Sequence, residues 1–249
     1  MFKDDVTAVA NAAVNKVKFL TTNPLGYFLF SILAGAFVGF GCILSFTISG
    51  LLAGLPAAKI VAGAAFGCAL SLVVMAGSEL FTGNNFGMAV GLFLKKIKLN
   101  QAIRLWIICW LGNLVGSMLL ALCFQWAGLN TDATASAFAN AAVAKGSMPV
   151  AAMIIRGILC NILVCLAVWC SIKMKSETGK LIMIFWCIFV FFTAGFEHSV
   201  ANMTTFSVAL LGGQGSVLKA VANLVFVTIG NMIGAIGGVA LPYYIASKK

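Results

Sequence analysis

Long apolar segments separated by short polar ones run along the whole chain. Six of them are long enough to cross a bilayer as a helix, which takes about 20 predominantly apolar residues. They cover about 27–52, 58–78, 104–127, 152–172, 181–211 and 218–245. The pattern therefore predicts an all-α integral membrane protein with six transmembrane helices.

The second and fifth spans are interrupted by polar, glycine-bearing tracts, GSELFTGNN at 77–85 and GFEHSVAN at 195–202. Irregular backbone at membrane depth survives only where protein or a water-filled cavity surrounds it, because hydrocarbon offers no hydrogen-bond partner. Two such interruptions in corresponding spans are typical of a transport site near the bilayer midplane. We therefore predict that both helices are broken and that the breaks meet at the site.

The two halves of the chain match when the sequence is shifted by 118 residues, the distance from Gly77 to Gly195. The same shift pairs Glu79 with Glu197, Asn84 with Asn202, GNLVG at 112–116 with GNMIG at 230–234, and Gly39 with Gly157. Each half carries three spans, an odd number, so the second half must enter the membrane from the opposite side. The sequence thus predicts an inverted 3+3 repeat, with the GNxxG glycines as helix-packing positions.

This organisation divides a single transmembrane domain, 1–249, into four segments. They are an amphipathic N-terminal helix at 1–25, repeat 1 at 26–127, an outer connecting segment at 128–150 and repeat 2 at 151–249. The N-terminal segment carries too many charges for a signal peptide. We expect it to lie at the cytoplasmic membrane interface.

Composition agrees with a bilayer environment, since 62% of the residues are hydrophobic and 9% charged, at a mean hydropathy of +1.07. The net charge of +10 is a signal of orientation. Of the 16 Lys and Arg residues, twelve lie in the termini and in two short loops on one side of the six spans. By the positive-inside rule both termini are cytoplasmic, in a multi-pass protein of the plasma or inner membrane. The cations are not interleaved with aromatic residues as nucleic-acid binding requires.

Glu79 and Glu197 are the acids of the apolar spans, where a charge costs at least about 2.5–3.5 kcal/mol. Two roles are open for them. As matched residues they favour a supporting role, each carboxylate accepting backbone N–H groups of its own broken helix. The alternative is a direct proton relay.

Two polar residues of the breaks have no polar counterpart in the other half: His198 stands opposite Leu80, and Thr82 opposite Val200. His198 is the chain's single histidine. Imidazole can change charge near neutral pH, so it could hydrogen-bond a passing anion or give it a proton. Thr82 offers a hydroxyl at the matching depth. These two residues are the strongest candidates for chemistry.

Apolar side chains near the breaks predict a dry constriction that resists ions. A bare anion is costly there, whereas a neutral weak acid passes easily. The candidates are Phe66, Leu70, Leu80, Phe81, Phe191 and Phe196. Lys145 and Arg156 fall at the outer mouth, where they either concentrate anions or serve as ordinary interfacial cations.

The eight cysteines lie singly in apolar runs, and no clustered ligands accompany the lone histidine, so we expect neither a metal nor another cofactor. An enzyme is disfavoured because His198 and Glu197 are adjacent and point about 100° apart on a helix. A channel of the aquaporin type for small neutral solutes is the alternative function. It predicts NPA-type loops, yet Pro-Ala follows neither Asn84 nor Asn202.

Four motifs together resemble the formate/nitrite transporter family. They are GSELFTG at 77–83, WLGNLVGS at 110–117, NILVCLAVW at 161–169 and GFEHSVANM at 195–203. The resemblance implies a homopentamer in which each protomer is an aquaporin-like pore of six spans, the second and fifth broken. It also implies small monovalent anions as substrates, such as formate, nitrite and hydrosulfide, with protons as possible companions.

The resemblance further implies roles for single residues. The family's central histidine and loop threonine fall on His198 and Thr82, and its following asparagine falls on Asn202. Its constriction residues fall on Phe66, Leu70, Leu80 and Phe191, its outer lysine on Lys145, and a supporting asparagine on Asn161. The SELFTG tract and the ending of ANMTTF at 201–206 are similar to the nitrite and hydrosulfide branches.

Overall fold

The computed structural model describes residues 2–248, which form helices and short connections without a β-strand. The helices are α1 Lys3–Thr22, α2 Pro24–Leu51, α3 Ala58–Leu72 with a π-helical turn Val73–Gly77, α4 Phe81–Phe93, α5 Leu99–Trp126, α6 Asp132–Gly146, α7 Val150–Lys173, α8 Glu177–Ala194, α9 Ser199–Leu211, α10 Val217–Ile233 with a π-helical turn Gly234–Ala240, and α11 Leu241–Ala246.

Six helical stretches within residues 2–248 are long and apolar enough to cross a membrane. They are Pro24–Leu51, Ala58–Gly77, Leu99–Trp126, Val150–Lys173, Glu177–Ala194 and Val217–Ala246. The six predicted spans are therefore confirmed, and the chain is a multi-pass membrane protein. Helix α2 packs on α5, α7 packs on α10, and the stretches before the two interruptions, α3 and α8, pack on each other.

A glycine ends the helix before each interruption. Gly77 and Gly195 have φ angles of 79° and 80°, in the left-handed region that other residues rarely adopt. The chain is extended at Leu80 and at His198, and α4 and α9 begin directly after them. In each half the interrupted span therefore consists of a helical stretch long enough to cross the membrane, a short extended link and a shorter helix.

An asparagine side chain bridges the backbone across each interruption. Asn113 Oδ1 accepts the N–H of Phe81 at 2.9 Å, and its Nδ2 donates to the carbonyl of Glu79 at 2.9 Å. Asn231 makes the same two bonds across the second interruption, at 2.9 and 3.0 Å. Backbone groups that the helices leave unpaired are thereby satisfied inside the membrane. The GNxxG motif thus contributes its asparagine as well as its glycines.

The glycines of that motif lie against neighbouring backbone, as predicted. A Cβ atom on Gly116 would overlap the carbonyl of Ile32 in α2, and one on Gly234 would overlap the carbonyl of Ile158 in α7. Since only glycine permits this approach, the α2–α5 and α7–α10 pairs pack backbone to backbone.

The predicted pairing of Gly39 with Gly157 is wrong. Gly39 faces Leu120 and Thr204, whereas Gly157 lies against Gly230. The matched contacts of α2 and α7 follow a shift of 126 residues, the distance from Ile32 to Ile158. The shift is larger there because the second half has a shorter first span and a shorter link to the second span. Later in the halves the 118-residue shift holds, and Trp110 Nε1 donates to the hydroxyl of its counterpart Thr228 at 3.1 Å.

A shorter helix precedes the first span of each half. Helix α1 was expected at a membrane interface, and 128–150 was expected only to connect the repeats. In the structure α1 packs on α4, while α6 packs on α2 and α9. Both helices therefore reach the interrupted regions, and each contributes a lysine to the site.

Candidate functional site

Glu79, in the first interruption, is held in an ion pair from α1. Lys16 Nζ lies 2.9 Å from both of its carboxylate oxygens. Asn84 Nδ2 donates to the carboxylate at 2.9 Å and to the hydroxyl of Tyr27 at 3.1 Å. A carboxylate at membrane depth thus has its charge balanced by an ammonium group and accepts a further hydrogen bond from an amide.

Glu197, in the second interruption, has the equivalent partners. Lys145 Nζ from α6 lies 2.8 Å from one carboxylate oxygen, and Asn202 Nδ2 donates to the other at 2.6 Å. Asn202 Nδ2 also donates to Asn223 Oδ1 at 2.8 Å, and Asn223 Nδ2 donates to the carbonyl of Lys145 at 3.1 Å. The Lys–Glu–Asn cluster is therefore present in both halves.

Two expectations change with these contacts. The carboxylates of Glu79 and Glu197 accept from side chains, whereas the neighbouring backbone groups are satisfied by Asn113 and Asn231. Lys145 is the partner of a buried carboxylate and so carries little unscreened charge. Each carboxylate therefore binds a lysine and an asparagine beside its break.

His198 and Thr82 meet between the two clusters. Thr82 Oγ1 lies 3.0 Å from His198 Nε2, and both residues are buried. The N–H of Ala201 donates to His198 Nδ1 at 3.1 Å. A nitrogen that accepts a hydrogen bond carries no proton, so the ring proton resides on Nε2 and is donated to the Thr82 hydroxyl. The imidazole in this arrangement is neutral.

Asn161 supports Thr82 from α7. Its Nδ2 donates to the Thr82 carbonyl at 3.2 Å and to the Asn231 carbonyl at 2.7 Å. The predicted supporting residue therefore ties α4 and α10 to α7 beside the Thr82–His198 pair.

A wide cavity opens onto each ion pair. The first vestibule, about 510 Å³, is lined by Lys16, Glu79 and Asn84. The second vestibule, about 570 Å³, is lined by Lys145 and Glu197. The second vestibule also contains two exposed cations, Lys59 and Arg156.

Two small voids lie between the vestibules. The apolar void, about 10 Å³, is lined by Val38, Phe66, Ala69, Leu70, Leu80, Val164, Ile188, Phe191 and His198. The polar void, about 30 Å³, is lined by Cys42, Phe46, Lys145, Phe191, Phe192, Phe196, His198, Ala201, Asn202 and Thr205.

The four spaces lie in series because neighbours share walls. Leu70 and Leu80 line the first vestibule and the apolar void, and His198 lines both voids. Lys145 and Phe196 line the polar void and the second vestibule. A cavity of about 10–15 Å³ holds one water molecule, so the narrowest point excludes a hydrated ion.

Most predicted constriction residues line this series of spaces, but Phe81 does not. Phe81 lines an apolar groove on the outside of the bundle with Trp106 and Trp110 of α5. Leu80 faces the apolar void, and Phe81 follows it where helical geometry begins, so the two side chains point in different directions.

Several residues of the site were not predicted from the sequence. Lys16, Cys42, Lys59 and Thr205 line the cavities, and Asn223 accepts a hydrogen bond from Asn202. Lys16 was interpreted as an orientation charge. One signal could have indicated a role for Lys16 and for Lys145 as counter-ions, since two carboxylates buried in apolar spans require two cations.

Comparisons with known proteins find relatives of similar sequence and solved structures of similar fold. The family model described as "Formate/nitrite transporter" matches residues 3–245. The chain is 39% identical over 256 residues to "Nitrite transporter NirC" of Salmonella typhimurium (strain LT2), covering 100% of this chain and 93% of the relative.

Two solved structures have the same fold. An "FNT family ion channel" superposes with a TM-score of 0.94 at 38% identity, covering 98% of this chain and 99% of the other. A "Pentameric formate channel with formate bound" superposes with a TM-score of 0.78 at 25% identity, covering 90% and 97%.

Proposed function

Because the chain belongs to the formate/nitrite transporter family, we propose that it carries small monovalent anions of weak acids across a membrane, with nitrite, formate and hydrosulfide as substrates. The observation that carries the proposal is the series of two vestibules and two voids, with His198 at the wall between the voids. A relative that matches the full chain is named a nitrite transporter, and a solved structure that covers 90% of the chain is described as a formate channel.

Electrostatics favour anions at the second vestibule. Lys59 and Arg156 are exposed there, and Lys145 offsets the charge of Glu197. A cavity lined by cations raises the local concentration of anions. Beyond it, the apolar void removes water from whatever passes, which is very costly for a charge and cheap for a neutral molecule.

We infer that the permeant crosses the apolar void as the undissociated acid. His198 acts there as a neutral donor through Nε2, with Thr82 as its resting acceptor. Direct protonation of the anion by His198 is disfavoured, because loss of the Nε2 proton would leave an imidazolate while Nδ1 still accepts from Ala201. The proton therefore comes from water in the vestibules.

We further propose that both termini face the cytoplasm and that the protein assembles as a homopentamer in the cell membrane. The orientation rests on the excess of Lys and Arg in the termini and two loops. The assembly rests on the likeness to a solved channel described as pentameric.

Reconstituted proteoliposomes test the function. Uptake of nitrite, formate and hydrosulfide is measured alongside chloride, which has no neutral acid at accessible pH, and glycerol, the probe for a neutral-solute channel. We expect uptake of the weak acids and exclusion of chloride and glycerol. Passage of glycerol without the weak acids would support the aquaporin-type alternative and overturn the proposal.

A further inference from the structure

The polar void between Lys145 and His198 is lined by a side chain that carries an unused hydrogen-bond acceptor. Its small donors are already engaged, since the Thr205 hydroxyl and the Cys42 thiol both donate to the carbonyl of Ala201, at 3.0 and 3.5 Å. Lys145, which also lines this void, is held in its ion pair with Glu197 at 2.8 Å.

The acceptor is Asn202 Oδ1. Both partners of Asn202 Nδ2, the Glu197 carboxylate at 2.6 Å and Asn223 Oδ1 at 2.8 Å, are oxygen atoms that can only accept. The orientation of the amide is therefore fixed, with nitrogen toward those partners. Oδ1 has no hydrogen-bond partner among residues 2–248, in a side chain that is 1% exposed.

The other half lacks this arrangement. Asn84 coincides with Asn202, but its Nδ2 donates to Tyr27 as well as to Glu79, and it lines the open first vestibule. Asn223 coincides with Leu105 under the 118-residue shift. The enclosed acceptor is thus a property of the second half alone.

We propose that the polar void is a binding subsite for the undissociated acid, which donates its acidic hydrogen to Asn202 Oδ1. This inference rests on the proposed function and extends it. A neutral acid carries a hydrogen-bond donor that the amide oxygen can accept. An anion would place its own lone pairs against those of the amide oxygen, which is repulsive. Asn223 is the positioning residue that keeps this oxygen turned into the void.

The proton balance involves water at both ends. In the second vestibule the anion takes a proton from hydronium, giving the acid and one water molecule. After the acid crosses both voids, it returns the proton to water in the first vestibule. The titratable groups that face the polar void are Lys145 from α6, His198 before α9 and Cys42 from α2. Lys145 stays paired with Glu197, and His198 stays neutral.

The test is the substrate dependence of formate and nitrite uptake into proteoliposomes at a series of pH values. For the unmodified protein, the half-saturating concentration of total substrate should rise roughly tenfold per pH unit above the pKa of the acid. Expressed as undissociated acid, it should stay constant. Asn202→Ala should raise the half-saturating concentration of undissociated acid about tenfold, the effect of one lost hydrogen bond to a small ligand.

Two further variants make the test specific. Asn223→Leu, which installs the residue of the matching position, should shift half-saturation in the same direction by a smaller factor. Asn84→Ala loses the equivalent bond to a glutamate, so it should change the maximal rate without shifting half-saturation. Assembly of each variant is checked by size-exclusion chromatography, and Asn223→Leu decides the question if Asn202→Ala does not assemble.

The inference and the proposed function fail in different ways. No uptake of either weak acid by the unmodified protein would overturn the function. Uptake that saturates with the anion concentration at every pH would overturn only the subsite. Equal shifts in half-saturation for Asn84→Ala and Asn202→Ala would also overturn it.

Discussion

At the scale of single residues, one backbone N–H decides the state of His198. Ala201 donates to Nδ1, so the proton must lie on Nε2. Since the chain has one histidine, ¹⁵N-histidine labelling gives a signal from this residue alone. We expect solid-state NMR at neutral pH to show the neutral Nε2–H tautomer.

Thr82 provides the control for that experiment. Thr82→Ser keeps a hydroxyl for Nε2–H and should leave the ¹⁵N shifts nearly unchanged, whereas Thr82→Val should move the Nε2 resonance because its acceptor is gone. An imidazolium spectrum in the unmodified protein would contradict the neutral assignment.

The two buried ion pairs make a second prediction at this scale. Lys145→Met should destabilise the protein by about 3–5 kcal/mol, because it leaves the Glu197 charge buried without its cation. The double variant Lys145→Met/Glu197→Gln should recover part of that loss. Thermal unfolding in detergent measures both.

An exposed pair serves as the reference. Lys180 and Glu177 are also 2.8 Å apart, but the Glu177 side chain is 64% exposed, so Lys180→Met should change stability by no more than about 1 kcal/mol. Equal destabilisation by Lys145→Met and Lys180→Met would show that burial of Glu197 does not matter.

At the scale of elements, close helix packing depends on glycines that admit no side chain. Gly234→Ala places a Cβ atom against the Ile158 carbonyl of α7, so it should separate α7 from α10 and lower the unfolding temperature. Gly87→Ala is the matched control, because nothing lies within 4 Å of its Cβ position. That substitution should be neutral or stabilising, since alanine is the better helix former. Similar unfolding temperatures for the two variants would contradict the packing role.

Elements were predictable from the sequence where one local cause suffices. Hydropathy and length locate the spans, and a polar tract with glycine locates each break, since Gly77 and Gly195 supply the backbone conformation that ends the helix. Such patterns did not predict which of two neighbouring apolar residues faces the apolar void. Leu80 and Phe81 are both apolar, and only the start of α4 decides which of them faces the apolar void.

Contacts between distant elements were the part that could not be predicted. Lys16 reaches Glu79 across 63 residues, and Lys145 reaches Glu197 across 52. Neither lysine lies in a matched motif, and each is carried by a helix whose docking depends on tertiary packing. The 118-residue match therefore identified both glutamates without their cations, and it misplaced Gly157 because the halves differ in length before the breaks.

At the scale of the whole molecule, the two ends differ in charge although the halves match. The second vestibule has the exposed cations Lys59 and Arg156 in addition to its ion pair, whereas Lys16 is the single Lys or Arg among the residues lining the first. We expect this difference to act on the rate of entry. The double variant Lys59→Gln/Arg156→Gln should slow uptake several-fold when the anion is supplied at the second vestibule, because attraction into the cavity is weakened.

The effect should depend on direction and on salt. Exposed charges are screened over about 10 Å at 0.1 M salt and over about 3 Å at 1 M, so the difference between the variant and the unmodified protein should nearly vanish at high ionic strength. Uptake of anion supplied at the first vestibule should change little, because the substituted side chains then lie at the exit. Uptake into vesicles of defined orientation, measured from each side at low and high salt, separates these cases. Attraction of the anion requires that the slowing disappear at high salt and that it be larger for supply at the second vestibule. If the slowing persists at high salt, or is equal from both sides, these residues act through the structure of the vestibule.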